Sequence, residues 1–172
     1  STDYGFSICK FTGTGTAGTI EHGLSTVPKW YMVKNTDTAP SEWNIYHVGT
    51  GETKRLKLNS NSAAQTAANS WNNTAPTASL FTVGTDTDVN KSGDEHIAFL
   101  WSEVSGFSKF GSYTGNGSST GPVVTTGFKV RWLLLKRTDS GTSDNWAIID
   151  NERDSTNPIS KRLFANIDNL ES

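Results

Sequence analysis

Glycines with the spacing of a phosphate-binding turn occur near the start of this 172-residue chain. Gly13-x-Gly15-x-x-Gly18 matches the dinucleotide-binding pattern, in which a helix N-terminus holds a pyrophosphate. A strand can precede this turn, because residues 6–11 alternate apolar and polar side chains. Residues 19–28 contain glycine, proline and β-branched side chains and lack an apolar stripe of helical period. We therefore interpret the glycines as turn residues and predict no nucleotide site.

A second pattern places oxygen-bearing side chains at alternate positions. Asp86-x-Asp88-x-Asn90-x-Ser92-x-Asp94 has the spacing of a calcium loop, because this cation takes several carboxylate and carbonyl oxygens within one turn. An EF-hand needs glycine and glutamate at the sixth and twelfth positions, which here are Lys91 and Ile97. A hairpin loop that satisfies its own backbone explains the pattern better. Asp86, Asp88 and Asn90 are the candidate calcium ligands, and no other cofactor is indicated.

Catalytic constellations are not evident. Glycoside hydrolysis needs two carboxyl groups about 5 to 10 Å apart. The glutamates instead fall singly in turns or at strand edges: Glu42, Glu52, Glu95, Glu103 and Glu152. The three histidines are far apart in sequence, and no Gly-x-Ser-x-Gly elbow nominates a nucleophile. We predict that the protein is not an enzyme, with a carbohydrate-active enzyme as the least favoured alternative.

Aromatic side chains offer the chemistry of sugar binding, because the apolar face of a pyranose stacks on an indole. Trp71 lies in the loop-like stretch NSWNNTAP beside Asn72 and Asn73, so we predict that these three residues contact a ligand. The alternative is that Trp71 closes one end of the core. Further candidate ligand contacts are the loop residues Asp37, Asp139, Asn145 and Arg153. The remaining tryptophans begin or end apolar runs and are predicted to pack in the core or on a sheet face: Trp30, Trp43, Trp101, Trp132 and Trp146.

The composition is typical of an all-β protein, with aromatic residues, sixteen glycines and short apolar runs between polar turns. Residues 63–69 are the only candidate helix. Charged residues make up 19% of the chain, 15 basic against 17 acidic, so no electrostatic basis for nucleic-acid binding exists. The longest apolar runs, 97–101 and 132–135, are too short to cross a bilayer, and the single Cys9 excludes an internal disulfide.

The chain also repeats itself. Gly5-Phe6-Ser7 recurs as Gly106-Phe107-Ser108, and 102 residues separate Trp30 from Trp132. The separation becomes 103 between Trp43 and Trp146, and 107 between the two Lys-Arg-Leu sequences. Each copy predicts a strand ending in an aromatic residue, a glycine-rich turn, two strands that open on tryptophan and a Lys-Arg-Leu strand.

The second copy, residues 106–172, lacks counterparts of SLFTVG (79–84) and EHIAFLW (95–101), which the first copy, about 5–105, contains. Two separate small sandwiches would leave the second with an exposed apolar edge. We therefore predict one domain over residues 1–172, a two-sheet antiparallel β-sandwich in which those two strands serve both halves. A segment of a longer repeat-containing protein is expected.

Four stretches carry a family resemblance: FTGTGTAGTIEHGLSTVPKWYMVKN, FTVGTDTDVNKSGDEHIAFLWSEV, GFSKFGSYTGNGSSTGPVVTTGF and WLLLKRTDSGTSDNWAIID. They resemble tandem repeats of tail-fibre or adhesin-like proteins of tailed phages, notably from marine metagenomes. The resemblance covers nearly the whole chain. It implies a jelly roll of the laminin-G or concanavalin type, on a virion or outside the cell, that binds a host cell-surface glycan. Assembly as a homo-oligomer within a fibre is expected. The alternative is a spacer or oligomerisation repeat without a ligand.

Overall fold

Antiparallel strands dominate the chain, which confirms the all-β prediction. The computed structural model describes residues 2–140, 144–156 and 158–171. The strands are β1 (Phe6–Thr12), β2 (Gly18–Glu21), β3 (Trp30–Asn35), β4 (Asn44–His47), β5 (Lys54–Lys57), β6 (Gln65–Thr66), β7 (Leu80–Val83), β8 (Glu95–Trp101), β9 (Trp132–Leu135), β10 (Ala147–Asp150) and β11 (Leu163–Phe164). A 3-10 turn (Thr2–Tyr4) and two helical turns, α1 (Ala68–Trp71) and α2 (Thr87–Asn90), complete the described elements.

A six-stranded sheet with the order β1-β8-β3-β4-β5-β6 organises the first part of the chain. β8 lies between β1 and β3 although it comes much later in the sequence. Tyr31 of β3 is opposite Leu100 of β8 on one side and Tyr46 of β4 on the other. Since opposite residues of paired strands share a face, these three side chains lie on one side of the sheet.

That side of the sheet carries the main core. β2 and β7 form a two-stranded sheet that covers it, and α1 closes it with Trp71. The buried cluster contains Leu24, Tyr31, Val33, Tyr46, Trp71, Phe81, Val83, Val89, Ala98 and Leu100. Burial of each large side chain contributes about 1.5 to 3 kcal/mol, so this cluster is the main source of stability.

The opposite side of the sheet is covered in part by a second sheet with the order β11-β10-β9. Trp146 is 3% exposed and packs with Ile45 of β4 and Leu56 of β5 in a second buried cluster. Its Nε1 donates to the carbonyl oxygen of Lys57 at 2.8 Å. The backbone N–H of Ala64 also donates to the carbonyl oxygen of Thr138 at 2.9 Å. These contacts fix the second sheet against β4, β5 and the residues before β6.

The rest of this side is an aromatic surface, which we define as Phe6, Trp30, Phe99 and Trp101. All four side chains are half-buried. The ring centroids of Phe6 and Trp101 lie 4.8 Å apart, and those of Trp30 and Trp101 lie 4.4 Å apart. Ile8, on the same side of β1, is 54% exposed.

The two outer edges of the six-stranded sheet belong to β1 and β6. β1 carries Cys9, whose pKa is raised to about 11 by burial. It also carries Lys10, whose Nζ lies 2.6 Å from Oε2 of Glu95. β6 consists of the two exposed residues Gln65 and Thr66.

Two expectations about the strands are wrong. Among the described residues, β8 pairs with β1 and β3 alone and β7 with β2 alone, so these strands do not serve both halves of the chain. The predicted strand that ends at Tyr113 is also not formed: residues 102–131 contain no strand. The reason is the absence of a pairing partner. In the part of the chain that the structure describes, β1 pairs with β8 alone, and residues 106–172 contain no sequence like β8.

The helical turns differ from expectation in detail. No helix follows the glycine-rich turn, because β2 begins at Gly18. The predicted helix over 63–69 is replaced by β6 and the four-residue α1. α2 was not expected; Asp86 caps it by accepting a hydrogen bond from the N–H of Asp88 at 3.0 Å. Among the described residues no helix has the length and apolarity that a membrane span requires.

Candidate functional site

The glycine-rich turn is held by the segment around α2 and presents no phosphate cradle. The N–H groups of Gly13 and Gly15 donate to the carbonyl oxygens of Asp94 and Asn90 at 2.8 and 2.9 Å. The N–H of Thr14 donates to Oδ1 of Asn90 at 2.9 Å. A Cβ at Gly13 would lie 2.2 Å from the carbonyl oxygen of Lys91, so the glycine permits this close approach. The backbone N–H groups of Gly13, Thr14 and Gly15 therefore donate within the fold.

The three predicted calcium ligands act as caps and cross-links. Asp86 is 8% exposed and forms an ion pair with Arg55 of β5. Asp88 accepts, through Oδ1, a hydrogen bond from the N–H of Glu42 at 3.4 Å. Asn90 is 1% exposed, and its Nδ2 donates to the carbonyl oxygens of Thr16 and Gly84. In the part of the chain that the structure describes, no group of three or more His, Cys, Asp or Glu residues could hold a metal ion. Calcium binding here stays a prediction.

A polar cluster lies beside this loop, where the end of β3 meets the start of β8. Nδ2 of Asn35 donates to Oδ2 of Asp94 at 2.9 Å, and Oγ1 of Thr38 donates to the same oxygen at 2.5 Å. Nζ of Lys91 lies 3.1 Å from it. The hydrogen bonds from Thr38 and Asn35 lower the pKa of Asp94 to about 2. The Asp94 carboxylate thus links the loop that follows β3 to the loop that precedes β8.

Trp71, one of the predicted ligand contacts, is a core side chain. It is 0% exposed, and its ring centroid lies 5.0 Å from that of Tyr31 in an edge-to-face arrangement. Its Nε1 donates to the carbonyl oxygen of Lys54 at 3.1 Å. Both faces of the indole are thus unavailable to a sugar in this conformation. Asn72 and Asn73, which follow it, are exposed and have positive φ angles of 51° and 49°.

No hydrogen bond or ion pair of the described chain joins the other predicted contact residues to these asparagines. Oδ2 of Asp37 accepts from the N–H of Glu95 at 2.9 Å. Oδ1 of Asp139 accepts from Nε of Arg137 at 2.7 Å, and this hydrogen bond lowers the pKa of Asp139. Two further pairings are local. Asn145 accepts from Asn166 at 2.8 Å, and Arg153 pairs with Asp150.

Most of the glutamates considered for glycoside hydrolysis lie beside a cation of the chain. Four of them pair with a cation of the chain: Glu42 with Lys57, Glu95 with Lys10, Glu103 with Lys109 and Glu152 with Arg131. Burial lowers the pKa of all three histidines, His22, His47 and His96. The glutamates thus form ion pairs, and burial disfavours the charged form of each imidazole.

An open apolar surface lies on the sheet of β9, β10 and β11. We call it the β9 surface and define it as the outer edge of β9 and the side of β9 and β10 that bears Leu133 and Ile149. No strand of the described chain pairs with the outer edge of β9. Trp132 is 58% exposed and Leu133 is 39% exposed. Leu133 and Ile149 line a cleft of about 480 Å³ together with Arg131 and Asp154.

Sequence reasoning named no residue of the β9 surface as functional. A signal was nevertheless present, because residues 106–172 contain no counterparts of SLFTVG and EHIAFLW. An apolar strand without its partners predicts an open edge. The open edge was not predicted, because the two strands were expected to serve both halves of the chain.

The comparisons with known proteins give a family and no further relative. No curated protein and no solved structure matches the chain. One family profile matches residues 1–172, and its description is "Domain of unknown function (DUF7483)". The chain therefore belongs to this DUF7483 family, whose description assigns no function.

Proposed function

We propose that the protein is a non-enzymatic structural repeat module, a β-sandwich spacer in a virion or extracellular fibre, in which residues 106–172 repeat part of the unit formed by residues 5–105. The observation that carries this proposal is the agreement between the pairing of β9, β10 and β11 and that of β3, β4 and β5.

The registers of the two sets agree residue by residue. Trp30 is opposite His47 in the first set, and Trp132 is opposite Asp150 in the second, at the separations found in the sequence. In the same way, Ile45 is opposite Leu56, and Ile148 is opposite Leu163. A one-residue slip would turn every side chain to the other face, so agreement at both junctions supports a common origin.

Hydrogen bonds outside the ladders recur as well. The N–H of Trp43 donates to Oδ1 of Asn59 at 3.2 Å, and the N–H of Trp146 donates to Oδ1 of Asn166 at 2.8 Å. Asn59 and Asn166 are separated by the same 107 residues as the Lys-Arg-Leu sequences. The bond from the N–H of Val48 to the carbonyl oxygen of Lys29 has its counterpart between residues 151 and 131.

Within residues 106–172, strands are formed where their pairing partners are also present. In the part of the chain that the structure describes, β1 pairs with β8 alone and β2 with β7 alone. Residues 106–172 contain no sequence like β7 or β8, and residues 106–131 form no strand. β3, β4 and β5 pair with one another, and their counterparts are formed. This selective loss supports a repeat unit whose halves fold by the same pairings.

The burial of Trp71 favours a spacer over a glycan-binding module. A recognition site of the predicted kind needs an accessible indole, and Trp71 contributes to the core instead. The resemblance to tail-fibre repeats is the ground for placing the module on a virion or cell surface, where repeated units determine length and spacing.

A chain in which residues 61–105 follow Ile167 would complete the second unit, because Ile167 is the counterpart of Ser60. We expect amide hydrogen exchange in residues 107–113 and in β9 to slow to the level of β1 and β3. The control is a chain of the same length with residues 61–105 in scrambled order. Unchanged exchange in the completed chain would contradict the repeat.

Carbohydrate recognition is the second candidate, favoured by the aromatic surface of Phe6, Trp30, Phe99 and Trp101, whose rings are clustered and only half-buried. A glycan array run with and without calcium tests it. The spacer predicts no binding in either condition. Binding that is lost in Trp101→Ala and kept in Trp132→Ala would favour recognition.

A further inference from the structure

Three side chains that can react with one another meet beside the glycine-rich turn: the amide of Asn35, the carboxylate of Asp94 and the amine of Lys91. Nδ2 of Asn35 donates to Oδ2 of Asp94 at 2.9 Å, and Nζ of Lys91 lies 3.1 Å from the same oxygen. The carboxylate thus holds a side-chain amide and a primary amine next to each other. Asn35 is only 1% exposed, so its amide is shielded from water.

The amide of Asn35 is fixed in one orientation. Its Oδ1 accepts hydrogen bonds from the backbone N–H groups of Asp37 and Thr38, both at 2.9 Å. Since the side chain has one acceptor oxygen, Nδ2 must face Asp94. Two N–H groups on a carbonyl oxygen are also the arrangement that stabilises the negative charge of a tetrahedral intermediate. Cγ of Asn35 is therefore polarised for attack by a nucleophile.

The amine of Lys91 is positioned as well. Its Nζ donates to Oγ1 of Thr38 at 2.6 Å. Its backbone is packed against Gly13, where a Cβ would lie 2.2 Å from the carbonyl oxygen of Lys91. The side chain is 42% exposed, so Nζ can lose its ammonium proton to solvent; Asp94, with a pKa of about 2, is a weak base. An amine held close to its target loses little freedom when it reacts.

We propose that Lys91 and Asn35 form an isopeptide bond, with Asp94 carrying a proton between the two nitrogens. The free amine attacks Cγ of Asn35, and the two backbone N–H groups hold the oxygen of the tetrahedral intermediate. The bond from Cγ to Nδ2 then breaks, while Asp94 accepts a proton from Nζ and passes it to Nδ2. One amine and one carboxamide give one amide and one molecule of ammonia, without any oxidant or reductant.

A second lysine and asparagine in the same sheet provide an internal comparison. Lys57 of β5 is directly opposite Asn44 of β4, and its Nζ lies 3.4 Å from Oε1 of Glu42. Within the described part of the chain, however, Oδ1 of Asn44 has no hydrogen-bond partner. No donor would stabilise the negative charge of an intermediate there. We therefore expect the isopeptide bond at Asn35 and not at Asn44.

Mass spectrometry of the full chain and of its tryptic peptides tests the proposal. As purified or after several days at about pH 9, which favours the free amine, the chain should be lighter by about 17 Da, the mass of ammonia. Trypsin does not cleave after an acylated lysine, so residues 35–54 and 58–109 should be recovered as one joined peptide. Asn116-Gly117 can also lose ammonia, by cyclisation with its own backbone, but it lies in the separate peptide 110–129.

Variants assign the roles of the side chains. Lys91→Arg keeps the positive charge beside Asp94 and removes the nucleophile, so it should give no joined peptide. Asp94→Asn should slow bond formation by about a hundredfold or more, because the proton then has no carrier. Lys10→Arg is the matched control and should react like the wild type, since Lys10 pairs with Glu95 instead.

An unchanged mass of the folded wild-type chain would overturn the isopeptide bond. Conversion of Asn35 to aspartate, a gain of about 1 Da without a joined peptide, would also overturn it, because water and not Lys91 would then be the nucleophile. A joined peptide that persists in Lys91→Arg, or that links Asn44 to Lys57, would overturn it in favour of another pair. Equal rates in Asp94→Asn and the wild type would overturn the role of the carboxylate.

Discussion

At the scale of single residues, Trp71 shows how position in the fold determines the role of a side chain. Its indole is fully buried against Tyr31 and Tyr46. We expect Trp71→Ala to lower the free energy of unfolding by about 3 to 5 kcal/mol, the usual cost of removing a buried tryptophan. Urea denaturation measures this. Trp132→Ala, at 58% exposure, is the matched control and should change it by less than about 0.5 kcal/mol. Equal losses would contradict the burial of Trp71.

The buried histidines predict a dependence of stability on pH. His22 and His96 are 2% and 0% exposed, and burial lowers the pKa of each. In the unfolded chain a histidine has a pKa of about 6.5, so as the pH falls through this value the unfolded state takes up protons that the folded state does not. The free energy of unfolding should therefore fall between about pH 7.5 and pH 5.5.

Urea denaturation across this pH range measures the effect, and a chain with His22→Gln and His96→Gln should show a flatter profile. Asp94, with its pKa of about 2, is ionised throughout this range in the folded chain. A wild-type profile that does not change with pH would contradict neutral buried histidines.

At the scale of elements, the junction of the glycine-rich turn and α2 depends on the absence of a side chain at Gly13. We expect Gly13→Ala to destabilise the protein by about 1 to 3 kcal/mol, because its Cβ would collide with the backbone of Lys91 and force it to move. Faster amide exchange in residues 13–18 should accompany the loss. Gly111→Ala is the control, since a Cβ at that glycine meets no atom within 4 Å. An unchanged free energy of unfolding in Gly13→Ala would contradict the close packing of Gly13 against the backbone of Lys91.

Strands whose pairing partners lie in the same copy could be predicted from sequence. The strands that open on Trp30 and Trp132 were expected from apolar runs and turn residues, and both begin at those residues. The glycine-rich turn was correctly separated from a helix, because residues 19–28 lack a helical stripe. The strand predicted to end at Tyr113 is not formed, and the cause is physical. Alternation favours a strand, but a strand also needs a neighbouring strand for its backbone hydrogen bonds.

The candidate site was harder to predict than the fold. Four-residue helices such as α1 and α2 are too short to show a period, so the inward turn of Trp71 had no sequence signal. The pairing of Asp86 with Arg55 joins residues far apart in the chain, which one sequence does not reveal. Alternate acidic residues therefore resembled a cation loop, although the fold uses them to connect its elements.

At the scale of the whole molecule, the six-stranded sheet and the three-stranded sheet of β9, β10 and β11 pack through a small buried cluster, in which Trp146 is the largest side chain. We expect Trp146→Ala to accelerate amide exchange in β9, β10 and β11 and to leave β1, β3 and β8 unchanged. The reason is that its ring and its bond to Lys57 anchor the second sheet. Exchange measured by mass spectrometry tests this, with Trp132→Ala as control. Equal acceleration of amide exchange in the six-stranded sheet and in the sheet of β9, β10 and β11 would contradict the presence of two separate buried clusters.

The outer edge of β9 differs from the two outer edges of the six-stranded sheet. β1 carries the charged Lys10 and β6 is only two residues long, so both are poor templates for an added strand, whereas β9 exposes Trp132 and Leu133. Unwanted self-association of this chain by strand pairing would therefore begin at β9 sooner than at either edge of the six-stranded sheet.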